Sequence, residues 1–214
     1  MSDGARTVVT SDGIALEAEL ATPVDRASRA GMVLCHPHPQ YGGTMRSIVI
    51  SALFDALPRA GVTCLRFNFR GVENSEGAHD DGRGERLDAV AAVEVLDEEL
   101  ASSVPLVLTG WSFGGDIALG TVHDRVAAWL AIAPPLRFHH DVDAVAQDAR
   151  LKLLALAEHD EIRSPSSIVE MTASWVNTEI EIIGGASHFF VGRTDQLVTL
   201  ATALVDRLAD RERA

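Results

Sequence analysis

Apolar positions recur along this chain in two patterns: short runs that stay apolar, and longer stretches that return to apolar at every third or fourth residue. RTVVT and IALEAEL alternate around Ser11, Asp12 and Gly13, the pattern of a β-hairpin. GMVLC, VTCLRF, PLVLTG, AAWLAIA, KLLALA and EIEII then read as strands, and helix-like stretches follow each of the first three. The clearest of these helices runs from Glu85 to Leu100. Strands that are apolar on both faces belong in a sheet covered on both faces. The pattern predicts an α/β fold, a mainly parallel sheet with an N-terminal antiparallel hairpin and helices on both sides. Ser164 to Trp175, entered through Pro165, predicts another helix, and Leu197, Leu200, Leu204, Val205 and Leu208 share one face of a last one. No internal repeat, low-complexity tract or Pro/Gly-rich linker divides residues 1–214, so a single domain is expected.

Composition narrows the partners. Hydrophobic residues make up 47% and charged residues 23%, the balance of a soluble globular protein. Thirty-one acidic residues against 18 basic ones leave a net charge of −13, which removes the electrostatic case for nucleic acid or an anionic membrane. MSDGARTVV carries no cationic segment leading into an apolar run, and no stretch approaches the roughly 20 apolar residues of a membrane span. A cytoplasmic location is expected. Cys35 and Cys64 lie inside apolar strands, where a small buried thiol is the ordinary reading.

The stretch LTGWSFGGDIAL breaks this economy, because glycines and a serine stand where a buried strand meets a helix. Gly110, Ser112 and Gly114 fit G-x-S-x-G, a sharp strand-to-helix turn that holds a serine in a strained conformation at its apex. Glycine is required where a side chain would strike the adjoining strand or helix. The competing reading is a glycine-rich turn whose serine merely caps the helix.

A serine hydroxyl is a poor nucleophile until an imidazole takes its proton, and the imidazole in turn needs a carboxylate to fix its tautomer. KLLALAEHDEIRSP is an apolar strand ending in acids, which puts Asp160 just past its carboxyl end. EIEIIGGASHFF is the next strand, followed by a glycine turn and His188. Ser112, Asp160 and His188 therefore follow one another in the chain order known for such sets.

Proline points to the oxyanion site. In His36-Pro37-His38-Pro39, following the strand GMVLC, Pro37 and Pro39 have no N–H. The amide of His38 is the donor that remains between them, and it is expected to act with the amide of Phe113 on a tetrahedral intermediate, each donor worth roughly 3 kcal/mol. A metal site built from His36 and His38 with His139, His140 or His159 is the alternative. It lacks both a cysteine pattern and H-E-x-x-H, so no metal and no cofactor is expected.

The runs LCHPHPQYGGTM and LRFNFRGVENSEG, the elbow GWSFGG, the acid in AEHDEIRSP and the histidine in GASHFF together resemble one group of proteins. These are the small α/β-hydrolases of the predicted-hydrolase group related to dienelactone hydrolases and short-chain esterases. The resemblance covers nearly the whole chain. It implies Ser112 as nucleophile, Asp160 as orienting acid and His188 as base. Two departures stand out: Glu73 occupies the second glycine position of R-G-x-G-x-S, and the acid loop reads A-E-H-D in place of G-x-x-D. Dienelactone hydrolases use a cysteine nucleophile, so Ser112 points toward ordinary acyl esters. The expected function is that of a serine hydrolase acting on a small-molecule ester through an acyl-enzyme. Thioesterase or amidase action by the same triad, and a non-catalytic ligand-binding member of the fold, are the alternatives.

Other residues receive plainer readings. Asp116 is expected to serve the helix dipole or a local hydrogen bond. Arg66 and Arg70, on either side of Asn68, are expected to scaffold a loop rather than bind an acidic substrate. Residues 136–151, between two strands, are long enough for one short helix and too few for a domain roofing the serine, so an open site with minimal or no cap is expected.

Overall fold

A computed structural model describes residues 4–138 and 142–211. The hairpin forms as the alternation predicts, with β1 (Gly4–Val9) antiparallel to β2 (Ala15–Ala21). β3 (Ala30–Cys35), β4 (Val62–Phe67), β5 (Leu106–Trp111), β6 (Val126–Ile132), β7 (Leu151–His159) and β8 (Thr178–Ser187) complete one eight-stranded sheet. Its order is β1-β2-β4-β3-β5-β6-β7-β8, and every pairing from β4 onward is parallel.

The crossover connections are helical. α1 (Ile48–Ala56) links β3 to β4, α2 (Arg83–Glu98) links β4 to β5, and α3 (Phe113–Leu119) links β5 to β6. α4 (Val142–Ala146), α5 (Pro165–Met171) and α6 (Thr194–Arg211) follow. Pro165 stands in the first turn of α5, where its missing N–H costs nothing, and Ser164 Oγ accepts the N–H of Ser167. Among the described residues the connection between β6 and β7 holds α4 as its one helix. His139 and His140 lie outside the described residues.

Two apolar cores sandwich the sheet. On one face Leu108, Val33 and Leu154 pack with Ala92 and Leu96 of α2 and Ile117 of α3. On the other, Met32, Val107 and Leu130 pack with Ile50 and Leu53 of α1 and with Leu197, Leu204, Val205 and Leu208 of α6. Both cysteines are fully buried free thiols in these strands, and burial pushes their ionisation up. No helix among the described residues is long and apolar enough to cross a membrane.

The parallel strands all end at the same edge of the sheet, where open α/β sheets bind ligands. β3 delivers the His36–Gly43 loop there, β5 delivers Ser112, β7 delivers Asp160 and β8 delivers His188.

Candidate active site

Ser112 sits between β5 and α3 with φ 55° and ψ −121°, a conformation in which side chains are rare. The neighbouring glycines explain how the chain tolerates it. A Cβ on Gly110 would stand 1.9 Å from the carbonyl oxygen of Gly114, and one on Gly114 would stand 2.2 Å from that of Cys35. β5 and α3 therefore touch backbone to backbone across the turn. The Ser112 N–H donates to Ile132 O at 2.8 Å, which ties the apex to β6.

The three residues singled out in the sequence come together. Ser112 Oγ lies 2.9 Å from His188 Nε2, and His188 Nδ1 lies 2.8 Å from Asp160 Oδ2. Burial raises the Asp160 carboxyl, but the His188 ring and the N–H groups of Arg163 and Ile162 outweigh it, so the group is held below its ordinary value. An ionised Asp160 accepts from Nδ1–H, which leaves the Nε2 lone pair facing the serine hydroxyl. Of the neighbouring acids, Glu158 instead accepts the N–H of Gly185 at 2.7 Å. Glu161 accepts the N–H of His188 itself at 3.1 Å. From the other side, Trp111 Nε1–H donates to the His188 carbonyl at 3.1 Å. The histidine's backbone is thus held at both its polar groups.

The His36–Gly43 loop borders the same space. His36 is fully buried, with Nδ1–H directed to Pro37 O at 2.6 Å and Nε2 accepting the Phe69 N–H at 3.0 Å. Burial drives its ring down to about 3, so it stays neutral and serves as a clamp between the β3 and β4 loops. Both its nitrogens are occupied. Burial followed by the proximity of His79 also lowers the His38 ring, whose Nδ1 accepts the Gln40 N–H at 3.2 Å. That ring packs 4.9 Å from Phe113 and 4.9 Å from His79. Among the described residues, neither the His38 amide nor the Phe113 amide donates a hydrogen bond within the protein.

A cavity of about 690 Å³ opens over Ser112 and His188. Tyr41, Ile48, Trp111, Ile162 and Phe189 form its apolar wall, and Arg137 and Glu161 its charged one.

Glu73, which departs from the glycine of the related pattern, lies in the left-handed region that favours glycine, with φ 48°. Asn68 Nδ2 at 2.7 Å and Arg46 at 3.0 Å both donate to its carboxylate, offsetting strain of about 1 kcal/mol. The scaffolding read for the nearby arginines is also present: Arg70 grips Asp88 and Asp12, and Arg66 grips Glu19.

Asp116 does more than a local task. It is fully buried, and its carboxylate accepts the N–H groups of Leu136 (2.8 Å), Arg137 (2.7 Å) and Phe138 (3.0 Å), twenty and more residues away. Arg137, Glu161 and Trp111 at the same site carry no signal in the sequence that sets them apart. An acid buried one turn after the serine was the available signal for Asp116, but its partners lie in a loop without periodicity.

No protein-family model matches the chain. An uncharacterized protein of Rickettsia prowazekii is 33% identical over 174 residues, covering 77% of this chain and 73% of that one. A solved α/β serine hydrolase homologue from Coxiella burnetii is 31% identical with a TM-score of 0.81, over 95% of this chain and 97% of its own. A Xanthomonas campestris protein described as an α/β serine hydrolase without lid is 26% identical with a TM-score of 0.83, over 99% and 95%. With its sheet order, its serine turn and this likeness over nearly its full length, the chain belongs to the α/β-hydrolase family.

Proposed function

We propose that the protein is a serine hydrolase that cleaves small carboxylic esters through an acyl-enzyme. One observation carries the reading: Ser112 Oγ, His188 Nε2, His188 Nδ1 and Asp160 Oδ2 form a continuous hydrogen-bonded line with gaps of 2.9 and 2.8 Å, at the floor of an open cavity. In this reading His188 takes the proton of Ser112 as the oxygen attacks the ester carbonyl. The charge that gathers on the carbonyl oxygen meets the N–H groups of His38 and Phe113. Collapse of the tetrahedral adduct breaks the bond to the alcohol, which leaves with the proton from His188. Water, deprotonated by the same imidazole, then attacks the acyl-serine, and a second collapse releases the acid and restores Ser112. Asp160 stays ionised throughout and stabilises the imidazolium.

The Coxiella and Xanthomonas proteins, both described as serine hydrolases or their homologues, support the reaction class. The whole chain acts as one catalytic domain, and two buried, unpaired thiols suit a cytoplasmic setting. Nitrophenyl esters of increasing acyl length, offered to wild type and Ser112→Ala, test the reading. Hydrolysis that depends on Ser112 and favours short chains is expected. Hydrolysis equal in the two proteins contradicts it. Matched thioester and anilide substrates decide between ester, thioester and amide bonds.

A further inference from the structure

Asp116 supports a segment rather than the helix that bears it. Its buried carboxylate gathers three consecutive N–H groups of the loop after β6. That loop turns through two non-glycine residues at positive φ, Ala133 at 44° and Leu136 at 51°. Strain of this kind persists where the surroundings hold it, and here a buried anion does so. Leu136 is turned into the core, and the Phe138 ring packs 4.9 Å from Phe113. Between them Arg137 is exposed, and it lines the same cavity as Ser112.

The guanidinium has little to do within the protein. Among the described residues its one hydrogen bond is a long one, 3.5 Å, to Ile162 O, and no carboxylate lies within ion-pair distance. Arg46, Arg66, Arg70, Arg125, Arg150 and Arg207 all pair with acids, as a chain of net charge −13 allows. The other charge in the cavity, Glu161, is engaged by the His188 N–H. Because the whole molecule repels anions, binding one in this cavity requires a direct partner, and Arg137 offers a planar set of donors suited to a carboxylate.

We propose that Arg137 is a specificity-determining residue, and that the preferred substrates are esters bearing a second, ionised carboxyl group, the half-esters of dicarboxylic acids. The proposal rests on the ester-hydrolase reading for its reaction but not for its binding site. In the bound state the free carboxylate pairs with Arg137, the aliphatic spacer lies along the apolar wall, and the ester carbonyl reaches Ser112.

Two measurements test this. The first compares kcat/KM on monomethyl glutarate and on methyl butanoate for wild type and Arg137→Gln. Wild type is expected to prefer the acidic ester, and the substitution to lower the acidic-to-neutral ratio by roughly tenfold, mainly through KM, as loss of one charge-assisted pair implies. An unchanged ratio, or a wild type that prefers methyl butanoate, overturns the proposal. The second is binding of glutarate itself by calorimetry, which needs no turnover. Weaker binding by Arg137→Gln than by wild type supports the anion site even where neither ester is cleaved, a result that would instead count against the ester reaction. Binding equal in both proteins, or absent from wild type, overturns the anion site whatever the esters do.

Discussion

His188 Nε2 and Ser112 Oγ stand 2.9 Å apart across 76 positions of sequence, one at the end of β8 and the other at the end of β5. No local interaction brings them together. The sheet does, since parallel strands end at one edge and β6 and β7 set the spacing between the two.

In the proposed reaction that relationship makes the rate depend on a neutral imidazole. Hydrolysis is expected to fall in acid along a single limb, because the base can no longer accept the serine proton. Asp160 is held below the ordinary carboxylate range, so its protonation comes at lower pH and does not set that limb. Asp160→Asn favours the wrong tautomer and is expected to lower kcat by about 10⁴-fold, with Glu158→Gln far milder. Rate against pH for the three proteins checks both points, and equal losses in the two variants would move the orienting acid to Glu158.

The turn itself should be intolerant. Gly110→Ala places a methyl group 1.9 Å from a backbone oxygen, which cannot rotate away, whereas a Cβ on Gly184 meets nothing within 4 Å. Gly110→Ala is expected to cost roughly 3 kcal/mol or more and Gly184→Ala little. Urea denaturation of the two variants beside wild type reads the difference.

The hairpin, the strands and most helices were legible because apolar runs and turn residues lie close together in sequence. Strand order was not. β4 lies between β2 and β3, and no periodicity encodes which strands are neighbours. The serine, acid and histidine were legible because each ends an apolar run. Asp116 and Arg137 were not, since the first acts on a segment remote in sequence and the second is displayed by a loop whose shape depends on that action. Glu73 is the instructive middle case: the departure from glycine was visible, but that Asn68 and Arg46 hold a glutamate at φ 48° needed the fold.

His36 gives the protein a distinct acid sensitivity. Its ring protonates near the ordinary ~6.5 in the unfolded chain but only at about 3 in the folded one. Between those values the unfolded state binds the extra proton, so this contribution is complete above about pH 6.5 and declines as pH falls. From pH 7 to 5 it removes roughly 2 kcal/mol. His36→Gln is expected to be less stable at pH 7 yet flatter over that interval by about this amount. Chemical denaturation of both proteins at the two pH values tests it, and parallel profiles would contradict it.

The open site expected from the short connection between β6 and β7 would have no apolar lid surface to exchange for lipid contact. The rate on a short-chain triglyceride is expected to saturate smoothly below its solubility limit. A sharp rise at the onset of emulsion would show that some segment covers Ser112 in solution.

In the proposed reaction Ser112 is a nucleophile activated by His188. Reaction with a fluorophosphonate, followed by intact-mass and peptide mass spectrometry, measures this without knowledge of the natural ester. One phosphonyl group per chain is expected, located on Ser112, with labelling abolished in Ser112→Ala and slowed by orders of magnitude in His188→Ala. A protein that stays unlabelled, or carries the adduct on another residue while Ser112→Ala labels at the wild-type rate, would contradict it.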